Sequence, residues 1–191
     1  MKILGIDPGT AIVGYSIINF EQGKYIVKDY GCIYTSKDED MPQRLEKIYD
    51  SLENIIKIWK PDDMAIENLF FFKNQKTIIE VGQARGIIML AGQKNGLNLF
   101  SYTPLQVKMG IAGYGKAEKK QIQEMVKIIL GLDEIPKPDD AADALAIAIT
   151  HANSRNGLGG FSRGDNITRK LSKLNDSRIK LSDYKKLMNI K

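Results

Sequence analysis

The chain has 191 residues and is 43% hydrophobic, which suits one domain with its own core and an appendage. Its one cysteine, Cys32, excludes an internal disulfide framework and a multi-cysteine zinc site, and is expected to be a buried, small apolar residue. The apolar stretches are far shorter than the roughly 18 residues that span a bilayer, and the first residues enter a strand without a signal-peptide profile. A soluble, cytoplasmic protein without membrane contact is therefore expected.

The formal net charge of +5 is unevenly distributed along the chain. Residues 155–191 contain ten Lys or Arg and three Asp, a net charge of +7, so residues 1–154 carry a net charge of −2. A basic segment favours contact with a polyanion and says nothing about the partner of the core. Because glycines also become frequent beyond 153, a domain at 1–153 and a basic, flexible tail at 154–191 are predicted.

Three strands are predicted first, at 2–7, 12–20 and 25–35, because short turn sequences separate these apolar runs. Together they predict an antiparallel meander. Apolar residues then recur at helical spacing from 42 to 59, and a short strand follows at 63–67. Since the helix is a crossover, the fourth strand is expected to lie parallel to the first.

The rest of the pattern predicts a helix at 75–94, a strand at 97–102, and helices at 118–131 and 139–153. Strands that alternate with helices in this way predict an α/β fold, with a mixed sheet flanked by helices.

Four carboxylates fall where this fold would bring them together. Asp7 and Glu67 end the two strands that are expected to pair, while Asp140 and Asp143 lie three residues apart on one face of the last helix. Each acid alone could be a helix cap or an ion-pair partner. Four together favour a metal site, because unpaired buried carboxylates are costly. Mg²⁺ prefers oxygen ligands, and two ions roughly 4 Å apart activate water and stabilise the leaving oxygen of a phosphodiester.

Five segments also resemble, in order along the chain, the signatures of RuvC, a family of bacterial Holliday-junction resolvases. They are residues 5–10 (GIDPGT), 66–74 (IENLFFFKN), 82–86 (GQARG), 116–119 (KAEK) and 140–148 (DAADALAIA). One such segment would be weak, whereas five in family order are specific. The resemblance implies a ribonuclease H-like mixed five-stranded sheet flanked by helices. It also implies Mg²⁺-dependent, paired nicking of four-way junction DNA at symmetric positions by a homodimer, in recombination and repair with a branch-migration helicase.

The same resemblance implies roles for individual residues. The implied catalytic residues and metal ligands, for two Mg²⁺ ions or for Mn²⁺, are Asp7, Glu67, Asp140 and Asp143. Phe70 matches an aromatic residue proposed to stack on an unpaired base near the cut, since base stacking is worth about 1–3 kcal/mol. Lys108 and Lys119 match basic positions near the scissile phosphates, where positive charge supports the developing negative charge.

Other residues near these motifs have less definite roles. If the strand continues past Glu67, alternate rings would lie in the core, so Phe71 or Phe72 is expected there. Arg85 could contact phosphate or a dimer helix, and the choice stays open. His151 lies eight residues beyond Asp143, about 12 Å along a helix, so a packed or surface position is expected.

Other functions share parts of this pattern. Residues 7–10 (DPGT) after a strand also resemble the phosphate hairpin of actin-like and hexokinase-like ATPases, but that class needs a second, duplicated lobe. A non-catalytic nucleic-acid-binding member of the same fold need not keep all four acids. A ribonuclease H-like nuclease that acts on a flap or a hybrid differs from the favoured interpretation only through the family resemblance.

Overall fold

The computed structural model describes residues 1–68 and 75–157, and every structural statement below concerns these residues. In this part the chain forms five strands and five helices. They are β1 (Lys2–Asp7), β2 (Ile12–Glu21), β3 (Lys24–Tyr34), α1 (Met41–Trp59), β4 (Asp63–Glu67), α2 (Gln75–Lys94), β5 (Asn98–Tyr102), α3 (Pro104–Ala112), α4 (Lys119–Leu130) and α5 (Asp139–Arg155). Among these helices, none combines the length and the apolar character that a bilayer crossing needs.

The strands form one mixed sheet in the order β3-β2-β1-β4-β5, with β1 at its centre. β1, β2 and β3 pair antiparallel, whereas β4 is parallel to both β1 and β5. The predicted meander, the parallel pairing of the first and fourth strands, and the mixed five-stranded α/β fold are all confirmed.

Helix α1 makes the crossover between β3 and β4. Asp40 and Gln43 form a capping box at its start, in which each backbone N–H donates to the other side chain at 3.0 Å. Ile48, Leu52 and Ile56 form the buried stripe of the helix. This stripe packs on one face of the sheet. The helix thereby carries the chain back across the sheet, so that β4 can pair with β1.

Side chains of the central strands alternate between two cores. In β1, Ile6 packs under α1 and α2, whereas Ile3 packs under α5 and its neighbouring helices. In β4, Ile66 and Ala65 divide between the two faces in the same way. Because the period of a strand is two residues, every position of β1 and β4 is thereby assigned to one face.

Helix α5 lies unusually close to β1 and β2. A Cβ added at Gly5 would overlap the carbonyl oxygen of Ala144, and one at Gly14 would overlap the carbonyl oxygen of Asp140. Only glycine permits this approach of two backbones. The Ser16 hydroxyl donates to the same Ala144 carbonyl at 2.9 Å. The N-terminal half of α5 is therefore fixed against the two strands.

The structure departs from the predicted elements most clearly over 103–117, where the sequence pattern predicts no element and α3 is found. The signal for this helix is local, because Thr103 and Gln106 form a capping box and Pro104 occupies the first turn. Only two residues of α3 are buried, so the apolar stripe is weak.

Cys32 is half-buried rather than buried, because it lies on the edge strand β3. The predictions for Phe70, Phe71, Phe72 and the tail from 158 onward fall outside the described residues.

Candidate active site

Asp7 and Glu67 stand side by side at the carboxyl ends of neighbouring parallel strands. Ile6 and Ile66 are register partners, so the next residue of each strand is one of the two acids. Because Ile6 and Ile66 face α1 and α2, Asp7 and Glu67 face the opposite side of the sheet, where α5 lies. The structure brings these two acids together as predicted.

Helix α5 supplies the other two acids. The Asp140 backbone lies against Gly14, and Gly14 is the register partner of Asp7. Asp143 follows one turn later, and its charge acts on both Asp7 and Glu67. The close approach of α5 to the sheet therefore places all four predicted acids at one edge of the fold.

The pKa values of these acids record how closely they are held. Burial, followed by the charges of Glu67, Asp143 and Asp140, raises the pKa of Asp7 to about 8. Burial and then the charge of Asp143 raise the pKa of Glu67 to about 7. Burial also raises the pKa of Asp143, although the charge of Lys119 opposes the change. The group therefore does not carry its full negative charge at neutral pH.

Lys119 is the first residue of α4 and is paired with two acids of α5. Its Nζ lies 3.1 Å from Asp143 Oδ2 and 3.2 Å from Asp139 Oδ2. Burial alone would lower the pKa of Lys119, but Asp143 and Asp139 outweigh it and raise the pKa. Gln123 steadies Asp139 by donating from Nε2 to Oδ1 at 3.0 Å. Lys119 is therefore a positioned positive charge beside the acids.

A cleft of about 180 Å³ joins two of the four acids to the predicted DNA-contacting lysines. Glu67, Asp143, Lys108 and Lys119 line it, together with apolar side chains of α3, α4 and α5. Lys108 comes from α3, so the helix that the sequence pattern did not predict contributes one wall. Four of the sequence-predicted site residues thus share one cleft.

The acids do not form a finished metal centre as they stand. Within residues 1–68 and 75–157, no three His, Cys, Asp or Glu side chains form a group that could hold an ion. Asp143 is directed at the ammonium group of Lys119. The ligand set therefore stays a prediction, and Asp143 would have to turn from Lys119 to complete it.

Two residues with contacts at the site were not assigned from the sequence. Asp139 holds Lys119, but an acid in the first turn of a helix is ordinarily explained by the helix dipole. Arg85, whose role the sequence left open, reaches the end of β4 from α2. Neither the Asp139–Lys119 ion pair nor the contact of Arg85 with β4 could be predicted from the local sequence pattern.

His151 belongs to a separate, buried network at the other end of β4. Its Nε2 lies 2.8 Å from Asp63 Oδ2, and its Nδ1 lies 2.8 Å from the Tyr102 hydroxyl. Burial lowers the pKa of His151, so the neutral ring donates to Asp63 and accepts from Tyr102. The prediction of a packed histidine outside the acid cluster is confirmed.

The sheet order and the acids at the ends of β1 and β4 and on α5 define a class of protein, the ribonuclease H-like nucleases. The class does not fix the substrate, because function lies in the site rather than in the fold.

Comparison with known proteins identifies the family within this class. The model of the family "Crossover junction endodeoxyribonuclease RuvC" matches residues 3–151. The protein of that name from Fusobacterium nucleatum subsp. nucleatum is 57% identical over 188 residues, which cover 98% of this chain and 99% of the relative. The chain belongs to the RuvC family.

Solved structures agree with this assignment. RuvC from Thermus thermophilus matches with a TM-score of 0.77 and 34% identity, over 83% of this chain and 98% of that chain. The Thermus thermophilus protein in complex with a Holliday junction substrate matches with a TM-score of 0.76 and 32% identity, over the same shares of the two chains. The fold is therefore the ribonuclease H-like fold of RuvC.

Proposed function

We propose that this protein is a crossover junction endodeoxyribonuclease, which resolves four-way DNA junctions by paired, symmetric nicks in recombination and repair. The observation that carries the proposal is the cleft in which Glu67 and Asp143 lie beside Lys108 and Lys119. Acids that suit a cation and lysines that suit a phosphate meet there, as phosphodiester hydrolysis requires. The choice of substrate is supported by membership of the RuvC family and by the Thermus thermophilus complex.

The proposed cofactor is Mg²⁺, with two ions per site and Mn²⁺ as an alternative. The donors are carboxylate oxygens, which both ions prefer. Burial first, and then the charges of neighbouring acids, raise the pKa values of Asp7 and Glu67, and a bound cation would offset both effects. Together with Asp140 and Asp143, these residues would hold the ions. When bound, such ions activate a water and stabilise the leaving oxygen of the phosphodiester.

The basic residues of the cleft would bind the scissile phosphate. If Asp143 turns to a cation, the Lys119 ammonium group loses one of its two ion-pair partners. Asp139 still holds it in place, and it can then also contact a phosphate. Lys108 lines the same cleft and would add a second positive charge. Phe70, three residues after Glu67, is proposed to stack on an unpaired base beside the cut.

A homodimer is part of the proposal, because symmetric nicks in two strands need two active sites. Helix α2 offers a surface for it. Ile79, Gln83, Gly86 and Leu90 are exposed and lie three or four residues apart, so they share one face. Ile79 is 63% exposed and Leu90 is 47% exposed. Apolar area of this kind is stabilised by burial against a second copy of the chain.

The proposed domain organisation is a catalytic domain over 1–153 and a tail over 154–191. Helix α5 runs to Arg155, just beyond that boundary. The net charge of +7 over 155–191 would add sequence-independent, salt-dependent affinity for DNA.

A truncation after Gly157 tests the contribution of the tail, because it keeps α5 whole. Unchanged junction affinity at low salt would show that the tail does not contact DNA. In the cell, we place the protein in the cytoplasm with a branch-migration helicase.

A cleavage assay tests the choice of substrate. A four-way junction, a linear duplex and an RNA–DNA hybrid are compared, each with and without Mg²⁺. We expect symmetric, Mg²⁺-dependent nicks in the junction alone. Cutting of the hybrid would keep the acid site but discard the substrate, and binding of the junction without cutting would favour a non-catalytic protein.

A further inference from the structure

Arg85 makes four contacts at the ends of β4 and β5 and along α2. Its Nη2 donates to Ser101 Oγ at 2.8 Å and to Asn68 Oδ1 at 3.0 Å. Its Nε donates to the Glu67 carbonyl oxygen at a longer 3.4 Å, and its Nη1 lies 3.2 Å from Met89 Sδ. These four partner atoms are uncharged, so in these contacts the guanidinium group serves as a rigid set of donors.

These contacts reach Glu67 from the face of the sheet opposite to the acid cluster. The Glu67 side chain faces α5, so the following residue, Asn68, faces α2, where Arg85 is placed. Asn68 is also tied to β5, because its backbone N–H donates to the Tyr102 carbonyl at 2.7 Å. Arg85 thus joins α2, β4 and β5 at the residue where the chain leaves the sheet.

The position of a ligating carboxylate depends on such supporting contacts. A backbone shift of about a few tenths of an ångström at Glu67 would move its carboxylate relative to Asp7. Loss of a group that orients a metal ligand typically lowers metal affinity about 10–100-fold. β4 ends at Glu67, so regular pairing no longer holds the next residue from both sides. The side chain of Arg85 takes over that function.

We infer that Arg85 is a positioning residue for Glu67, holding the end of β4 so that the Glu67 carboxylate is directed at the cation site. The inference rests on the proposed role of Glu67 as a metal ligand. It gives α2 two functions, because the helix that carries the exposed Ile79 and Leu90 also holds an active-site strand.

The variant Arg85→Lys tests the inference. It keeps the positive charge but loses the planar guanidinium group that donates to both Asn68 and Ser101. Lys94→Met is the matched control, since it removes an exposed positive charge from the last turn of the same helix. Four quantities are measured on the full chain: Mn²⁺ affinity by calorimetry, metal-free junction affinity, the oligomeric state by light scattering, and the single-turnover cleavage rate against Mg²⁺ concentration.

For Arg85→Lys we expect roughly 10-fold weaker Mn²⁺ binding and a Mg²⁺ midpoint displaced by a similar factor. Metal-free junction affinity and the oligomeric state should stay close to those of the wild type. Lys94→Met should leave all four quantities unchanged. Asn68→Ala should weaken Mn²⁺ binding in the wild type and add little in Arg85→Lys, because both changes break the same contact.

Three results would overturn the inference. Wild-type Mn²⁺ affinity in Arg85→Lys would remove any positioning role. A parallel fall in metal-free junction affinity would make Arg85 a phosphate contact instead, and loss of the oligomer would make it a subunit contact. A wild-type protein that binds no Mn²⁺ and cuts without metal would instead contradict the proposed metal site, so the two failures are distinguishable.

Discussion

Asp7 is the least favourable charge of the site when no cation is bound. It lies at the end of the central strand, is mostly buried, and faces three other carboxylates. Its pKa of about 8, against an ordinary value of 3.8, means that the folded chain keeps a proton that the unfolded chain releases. The stability of the metal-free protein should therefore fall as pH rises between these two values.

The substitution Asp7→Asn should remove the part of this pH dependence that comes from Asp7, and should leave the part that comes from Glu67 and Asp143. Because the introduced amide does not titrate, the variant should melt at a higher temperature than the wild type at pH 8 in EDTA. The difference in melting temperature should be roughly 2–8 °C. This corresponds to about 1–2 kcal/mol of unfolding free energy, at roughly 2–4 °C per kcal/mol in a chain of this size. The difference should shrink as pH falls towards 5. Melting temperatures from pH 5 to 8.5 check this, and parallel curves for the two proteins would contradict it.

Lys119 should act in the chemical step more than in binding. Both Lys119 and Lys116 are exposed, but Lys119 is held beside the cleft by Asp139 and Asp143, whereas Lys116 does not line the cleft. Lys119→Met should lower the single-turnover cleavage rate about 100-fold, which is typical for a group that stabilises developing charge. Lys116→Met is the control and should cut at nearly the wild-type rate. Equal rates for the two variants would place Lys119 outside the reaction.

At the scale of elements, the position of α5 decides whether the acids meet. Gly5 and Gly14 allow its backbone to approach β1 and β2, and Ser16 bonds it there. This explains why two acids on a helix and two at strand ends form one cluster. The contact depends on the absence of side-chain atoms at two positions.

Gly14→Ala should displace α5 and disturb the acids together. A methyl group there would overlap the Asp140 carbonyl oxygen, so the variant should lose about 1–3 kcal/mol of unfolding free energy and much of its cleavage activity. Gly31→Ala on the edge strand β3 is the control, since the atoms nearest to its Cβ would belong to the Tyr15 side chain, at 3.2 Å, and not to a backbone. Denaturant unfolding measures the stability of the two variants. Equal stabilities for the two variants would argue against the close contact as the organising feature.

The sequence predicts those parts of this arrangement that follow from rules within an element. Strand alternation and the parallel crossover predict that Asp7 and Glu67 meet, and helical spacing puts Asp140 and Asp143 on one face. The pairing of Lys119 with Asp139 and the contacts of Arg85 with Asn68 depend on how separate helices sit on the sheet. Such distances are not encoded in any local pattern, so only the structure reveals them.

At the scale of the whole molecule, the exposed stripe of α2 should be the subunit contact. Ile79→Glu should convert a dimer to a monomer in sedimentation experiments, because a charge buried at an apolar interface is costly. Ile128→Glu on α4 is the matched control, as that residue is 68% exposed and lies on another helix. The first variant should also lose paired nicking. A dimer that survives Ile79→Glu would move the interface elsewhere.

The most direct test of the central claim compares wild type and Asp7→Asn on one four-way junction, measuring binding without divalent cation and cleavage with Mg²⁺. If the four acids hold the cations that the reaction needs, the wild type cuts only with Mg²⁺. The variant should then not cut the junction, and should bind it about as tightly as the wild type. A pKa of about 8 leaves Asp7 mostly protonated in the metal-free protein at neutral pH, so it repels phosphate little. Cleavage by Asp7→Asn at a rate near that of the wild type would contradict the account.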